Sequence, residues 1–253
     1  MSGHSKWAQI RRQKGVNDAR RGQIFTRLGR EIIVAVREGG SGDPAANFRL
    51  RMAIQHAREA NMPMENIERS IKRALGGGDG AAIEEITYEG YGPGGTAVMV
   101  QVMTDNRNRT VAEIRNVFSR NGGNLGENGC VDWLFEQKGI IEIPLKGLDP
   151  DEVTLEAIDA GAEDVEPVKP DDEVLTIYTD PAELDAVRAA LEKKKYPIAK
   201  AETNLIPKTT IELDDKTGAQ AYRLIEKLEE LDDVQNVYTN AEFPDALAEQ
   251  LGG

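Results

Sequence analysis

Residues 90–110 read GYGPGGTAVMVQVMTDNRNRT, and the order of their parts decides the fold. Residues 90–95 satisfy Gly-x-Gly-x-x-Gly, but a dinucleotide-binding loop must follow a strand and open a helix, so that a pyrophosphate meets the helix N-terminus. Here the glycines precede a strand: the pattern changes from period 3.6 to period 2 after residue 81, and TAVMVQVMT at 96–104 reads as a strand. Pro93 and its glycines are therefore turn formers. Behind the strand, TDNRNRT at 104–110 marks a change from strand to helix, with Asp105, Asn106 and Asn108 as capping candidates. Arg107 and Arg109 at a helix N-terminus make a candidate anion site. Capping alone, with the arginines paired to acidic neighbours, is the competing reading.

Towards the C-terminus the same alternation continues. A helix is expected over 109–120, a second strand region from Leu125 to Phe135, and then strand, helix, short strand, strand, helix and strand between 139 and 205. That order is β-α-β-β-α-β. TTIEL at 209–213, a helix over 216–231 and VQNVYT at 234–239 form a further β-α-β. The pattern predicts a nested arrangement, in which 96–135 and 209–239 complete one ferredoxin-like sheet around an inserted ferredoxin-like unit. A single larger mixed sheet is the alternative.

Towards the N-terminus the period becomes 3.6. Phe25, Leu28, Ile32 and Val36 share one face of a helix expected from Asn17 or Asp18 to Arg37, and Arg20, Arg27, Arg30 and Arg37 lie opposite. GGSGDP at 39–44 ends it, with Asp43 and Pro44 expected as N-cap and first residue of a second helix, in which Leu50, Ala53, Ile54 and Ala57 match the apolar template. Asn61-Met62-Pro63 breaks that helix and Pro63 starts a third, with Ile67, Ile71, Ala74 and Leu75 expected inside and Asn66, Arg69, Lys72 and Arg73 outside. Two helices joined by so short a turn resemble a helix-turn-helix, which makes Arg69, Lys72 and Arg73 candidates for groove or phosphate contact; such hairpins also occur in proteins that bind nothing. GGGDGA at 76–81 has the composition of a hinge. The expected fold is thus α+β and multidomain: a basic helical domain over 1–79, a discontinuous α/β domain over 80–136 plus 207–253, and a ferredoxin-like α/β domain over 137–206 inserted into it.

Charge divides along the same line. Residues 1–73 hold fifteen Lys/Arg against seven Asp/Glu, a balance of +8, and the remainder holds sixteen against thirty-seven, a balance of −21, within a net charge of −13. A basic terminal block is the footprint of a polyanion-binding surface, whereas an acidic remainder favours basic partners or solubility. Hydrophobic content of 40% with 30% charged residues fits a globular protein, no apolar stretch reaches the roughly 20 residues of a membrane helix, and the N-terminus has no secretory signal, so a cytoplasmic location is expected. One cysteine, Cys130, and two histidines argue against a disulfide framework or a Cys/His metal site. Cys130 is expected as a small strand residue and His56 as a structural histidine. The alternative function, a hydrolase or cation-dependent enzyme with an acidic interdomain cleft, would need acidic pairs such as Asp171–Asp172, Glu229–Glu230 or Asp232–Asp233 to converge; solvated faces are the default for these.

GHSKW at 3–7, REI at 30–32 with GG and DP behind it, NMP followed by NI, YEGYGPGG, TDNRNRT, GGNLG and DVQNVYTN together resemble the YebC/PmpR family, whose mitochondrial relative is the translational activator of cytochrome oxidase. The match runs from about residue 2 to about residue 240. The resemblance implies a helical N-terminal domain followed by two α/β domains, no enzymatic activity and no cofactor. It also implies binding of nucleic acid, either DNA as a transcriptional regulator or ribosomal RNA as a translation factor. The residues expected to carry that binding are Lys6, Trp7, Arg11, Arg12 and Lys14 on an N-terminal arm, Arg20, Arg27 and Arg30 on the first helix, Arg69, Lys72 and Arg73 on the third, and Arg107 and Arg109. Basic ribosomal proteins are the expected partners of the acidic domains, and a monomer is favoured.

Overall fold

The computed structural model describes residues 18–76, 83–168, 172–244 and Leu247. The protein is a mixed α+β structure in two compact units, one formed by the chain up to Leu134 together with the chain from Thr209 onwards, the other by Phe135–Lys208.

The first unit begins with three helices, α1 (Asp18–Gly39), α2 (Phe48–Glu59) and α3 (Met64–Leu75). Ile32, Ala35 and Val36 of α1 pack with Leu50, Ala53, Ile54 and Ala57 of α2 and Ile67 of α3, and Phe25 and Leu28 lie against that cluster. The apolar periodicity therefore marks the buried faces. The start of α2 departs from expectation. Asn47, not Asp43, is its N-cap: Asn47 Oδ1 accepts from Leu50 N at 3.0 Å, while Nδ2 donates to Ala35 O and Ser41 O. A buried amide that satisfies three backbone groups outcompetes Asp43, which instead accepts from Ala45 N at 2.9 Å in the preceding turn. Leu75 also differs, because it is the last residue of α3 and is exposed.

A four-stranded antiparallel sheet follows, in the order β3-β1-β2-β9, built from β1 (Glu84–Tyr91), β2 (Ala97–Thr104), β3 (Asn124–Leu125) and β9 (Val234–Thr239). Residues 92–96 are the hairpin connection of β1 and β2, where Gly94 and Gly95 take φ of +73° and +74°, a region closed to most side chains. Helices α4 (Arg107–Arg120) and α7 (Asp215–Glu229) cover one face, burying Ile114, Phe118, Leu224, Ile225 and Leu228 against Val98, Val100 and Val102. Two expectations are corrected here. Leu125–Phe135 is not a strand: β3 has two residues, and a turn and a 3-10 segment at Asp132–Leu134 follow. TTIEL does not join the sheet, since its strand β8 (Ile211–Glu212) pairs in parallel with β10 (Ala241–Glu242). The place between β2 and β3 belongs to β1.

In the second unit, β4 (Phe135–Pro144), α5 (Pro150–Asp159), β5 (Asp164–Val165), β6 (Val174–Thr179), α6 (Leu184–Lys193) and β7 (Lys200–Pro207) follow one another. The strands lie in the order β5-β6-β4-β7 with every neighbour antiparallel. Ile141, Ile143, Leu175 and Ile177 meet Val153, Ala157, Val187 and Leu191 in a core of the unit's own.

Candidate nucleic-acid interface

Helix α1 carries a polar stripe at Gln23, Arg27 and Arg30, spaced four and three residues apart and so on one side of the helix. That stripe meets the C-terminal end of α7. Gln23 Nε2 donates to Glu230 O at 3.2 Å, Arg27 to Glu229 O and, at 3.5 Å, Leu231 O, and Arg30 to Asp232 O. The last carbonyls of a helix lack intrahelical donors and carry the negative end of its dipole, so the Arg27 guanidinium and the Gln23 amide satisfy Glu229 O and Glu230 O as a long-range cap, and Arg30 takes Asp232 O in the turn that follows. Arg27 and Arg30, expected on a nucleic-acid face, thus have intramolecular acceptors. Arg20 lies on α1 with its side chain outside the described set, and Lys6, Trp7, Arg11, Arg12 and Lys14 lie outside the described residues.

Beside that cap sits Asp233, 3% exposed. Its Oδ2 lies 2.6 Å from Thr110 Oγ1, 3.0 Å from Thr104 Oγ1 and 2.7 Å from an Arg109 nitrogen, and Oδ1 is 2.9 Å from Arg30. Burial pushes the carboxyl up, but hydrogen bonds from Arg109, Thr110 and Thr104, with the charge of Arg30, outweigh burial and hold it below its ordinary value. A shift in register opposite Gln101 and Val102 brings Val234 rather than Gln235 across from Val102, and Met103 N donates to Asp233 O at 2.9 Å just before the bulge. Asp232–Asp233 is therefore not a solvated pair: Asp232 is exposed and Asp233 is an internal ionic hub. Nothing local in the sequence marks this, because its partners come from α1, β2 and α4.

At the N-terminus of α4, Asn106 Oδ1 accepts from Arg109 N at 3.1 Å, and Arg109 also pairs with Asp105 at 3.1 Å. Capping and acidic pairing account for Arg109. Arg107 is exposed and stands beside Tyr88, whose phenol is pushed up by burial while Arg107 works in the opposite sense.

Helix α3 differs from the Arg27 and Arg30 stripe of α1 in facing its cations outward, as Arg37 in the last turn of α1 also does. Lys72 and Arg73 are exposed in its last turn, and Arg69 makes only a solvent-exposed pair with Glu65 at 2.9 Å. Such a pair contributes little and exchanges readily for a phosphate. Arg51 and Arg58 are exposed on α2, the other arm of the hairpin. His56 Nδ1 lies 3.1 Å from Glu31 Oε1, linking α2 to α1 as a structural histidine does.

One loop went unread in the sequence. Glu89, 6% exposed on β1, accepts from Gly129 N at 2.6 Å and from Val131 N and Asp132 N at 2.9 Å each. Burial pushes its carboxyl up, and the three amides more than compensate, holding it below its ordinary value. Cys130 lies in the turn so formed, not in a strand, and its thiol is pushed up by burial and by the charge of Glu89. Among the described residues, no group of three or more His, Cys, Asp and Glu side chains is placed to hold a metal ion, and no helix is long and apolar enough to cross a membrane.

Two family models match the chain, that of the TACO1/YebC protein N-terminal domain over residues 5–77 and that of the TACO1/YebC second and third domain over residues 83–241. A protein of Roseiflexus castenholzii named "Probable transcriptional regulatory protein" is 57% identical over 99% of both chains, and one of Moorella thermoacetica bearing the same name is 56% identical over 99% of both. A crystal structure of a conserved hypothetical protein from Aquifex aeolicus superposes with a TM-score of 0.82 at 52% identity, covering 90% of this chain and 93% of that one.

Proposed function

Since this chain belongs to the TACO1/YebC family, we propose that it is a non-enzymatic regulatory protein of the cytoplasm that binds nucleic acid through its basic N-terminal part. The names of its relatives support a regulatory role. One observation carries the molecular reading: the helical hairpin α2–α3 turns Arg69, Lys72 and Arg73 to solvent, within a segment of balance +8. Few aromatic residues accompany these cations, so binding is mainly ionic, steeply salt-dependent and weakly sequence-selective. Lys6, Arg11, Arg12 and Lys14, which lie outside the described residues, add their charge to the same basic segment of the sequence.

A second reading, action at the ribosome, is favoured by the balance of −21 in the remainder of the chain, which repels bare nucleic acid and suits a site where basic proteins accompany RNA. The domain division belongs to the same proposal: a helical domain over 1–79 that docks, and α/β domains over 80–136 with 207–253 and over 137–206 that meet protein. Binding of the monomeric full chain to duplex DNA and to ribosomal RNA across a salt series tests it. A log–log slope near that of several released counterions is expected, and a flat dependence, or binding unchanged by neutralising Arg69, Lys72 and Arg73, would overturn it. Crosslinking in cells with sequencing of the bound nucleic acid then separates promoter DNA from ribosomal RNA.

A further inference from the structure

Beyond residue 73 the chain holds sixteen Lys/Arg against thirty-seven Asp/Glu, yet helix α4 carries Arg107, Arg109, Arg115 and Arg120 against Glu113 alone, a balance of +3. The other helices of that part are not cationic: α5 holds four acids and no base, and α6 and α7 are each balanced. Two of the four arginines already have neighbours to answer to. Arg109 belongs to the Asp233 hub, and Arg107 stands beside Tyr88. Arg115 and Arg120 are exposed and have no side-chain hydrogen bond or ion pair among the described residues.

Helix geometry sets these two side chains on either side of one exposed face. Ala112, Asn116 and Ser119, four and three residues apart and all exposed, form its midline, and Arg115 and Arg120 flank that line about 7.5 Å apart along the axis. The floor between them is small and polar, and none of the large exposed apolar residues lies on α4. Protein-binding surfaces centre on apolar or aromatic anchors, which this face lacks. Guanidinium groups around short amide and hydroxyl side chains instead match the phosphates and sugars of a nucleic-acid backbone. From Ile114 to Gly126 the sequence has no Asp or Glu. The carboxylates at the borders are Glu113, Glu127 and, at the start of the neighbouring α7, Asp214 and Asp215. None of them pairs with either arginine, and Asp214 is engaged as an N-cap, accepting from Thr217 N at 2.7 Å.

We propose that this face of α4 is a second contact for the sugar–phosphate backbone of a nucleic acid, in which Arg115 and Arg120 each neutralise a phosphate and Asn116 and Ser119 donate hydrogen bonds between them. It rests on the reading of the chain as a nucleic-acid binder, and adds to that reading a site outside the basic N-terminal part.

The test titrates the full chain with a DNA duplex and with a structured ribosomal RNA fragment across a salt series. Arg115→Gln/Arg120→Gln is expected to lower the log–log salt slope by about 2, one for each phosphate no longer neutralised, at unchanged melting temperature. A lowered slope with the duplex, the RNA or both supports the site and names its source of phosphate. Arg115→Lys/Arg120→Lys should keep the slope, which separates lost charge from any effect on the helix. The control is Lys216→Gln/Arg223→Gln, two exposed cations of α7 whose removal changes the net charge by the same amount and should leave the slope alone. An equal loss in that control would make the effect one of bulk charge and overturn the proposal. If the α4 variant keeps the wild-type slope while neutralising Arg69, Lys72 and Arg73 lowers it, the second contact falls and the hairpin reading stands; if neither nucleic acid binds, both fall. Loss of binding to a polyglutamate chain, with nucleic-acid binding intact, would assign the face to an acidic polypeptide instead.

Discussion

The Arg30 guanidinium stands 2.9 Å from the Asp233 carboxylate, whose other oxygen takes Arg109 at 2.7 Å. One buried acid therefore ties the first helix to the helix and strand of the α/β sheet that follows. Removing it leaves two guanidinium groups and two threonine hydroxyls without their shared acceptor. Asp233→Ala is expected to cost about 2–3 kcal/mol, seen as a lower denaturant midpoint with unchanged slope. An unshifted midpoint would show the hub to be energetically idle.

The same geometry separates two kinds of arginine that look alike in the sequence. Arg30 has internal acceptors, whereas Lys72 and Arg73 face solvent. Arg30→Gln should lower the melting temperature and leave the salt slope of nucleic-acid binding unchanged. Lys72→Gln with Arg73→Gln should leave the melting temperature in place and reduce the slope by about 1 for each phosphate no longer neutralised. Calorimetry and a binding titration on the same preparations make the comparison.

That contrast shows how far periodicity reaches. Phe25, Leu28, Ile32 and Val36 were legible as a buried stripe because helix spacing alone places them. The opposite stripe was legible as polar but not as a cap on α7, because Glu229 and Asp232 come from the far end of the chain. Strand β1 escaped for a related reason. Tyr88, Glu89 and Gly90 are buried in succession, which breaks the period-2 signal, and a buried glutamate makes sense only once the amides at 129–132 are beside it. The β-α-β-β-α-β run from 135 to 207 needed no such distant partner, and its order could be read directly.

Acid should unpick both buried carboxylates. The folded-state values of Glu89 and Asp233 lie below their ordinary values of 4.5 and 3.8, so each contributes stability in full above the ordinary value and loses it as pH falls through the folded one. The difference in melting temperature between the wild type and Glu89→Gln is expected to hold constant from neutral pH down to 4.5 and to narrow below it. A gap that widens on acidification would reverse the assigned sign.

Gly90 marks the closest approach in the first sheet. A Cβ there would stand 2.6 Å from Asn124 O and 2.8 Å from the Phe118 ring, so either the β1–β3 pairing or the core must give way. Gly90→Ala should cost about 1–3 kcal/mol as overpacking. Gly22→Ala, in the exposed part of α1 with nothing within 4 Å, should instead gain about 0.5–1 kcal/mol from helix propensity, so paired denaturation curves should move in opposite directions.

Phe135 and Pro207 are partners in the antiparallel register of β4 and β7, so the chain enters and leaves the second unit at adjacent positions. An insertion needs that arrangement, since the host is then interrupted at one place only. The unit also has its own core around Ile141, Leu175, Ile177 and Leu191. If 137–206 is an inserted domain, residues 135–208 expressed alone should unfold cooperatively, with a sigmoidal denaturant transition and dispersed amide resonances. The complementary chain, with Leu134 joined to Thr209 through two or three Gly/Ser residues, should keep the melting transition of the first unit. Loss of cooperativity in both pieces would mean that the two sheets fold as one body, and the single mixed domain would replace the nested one.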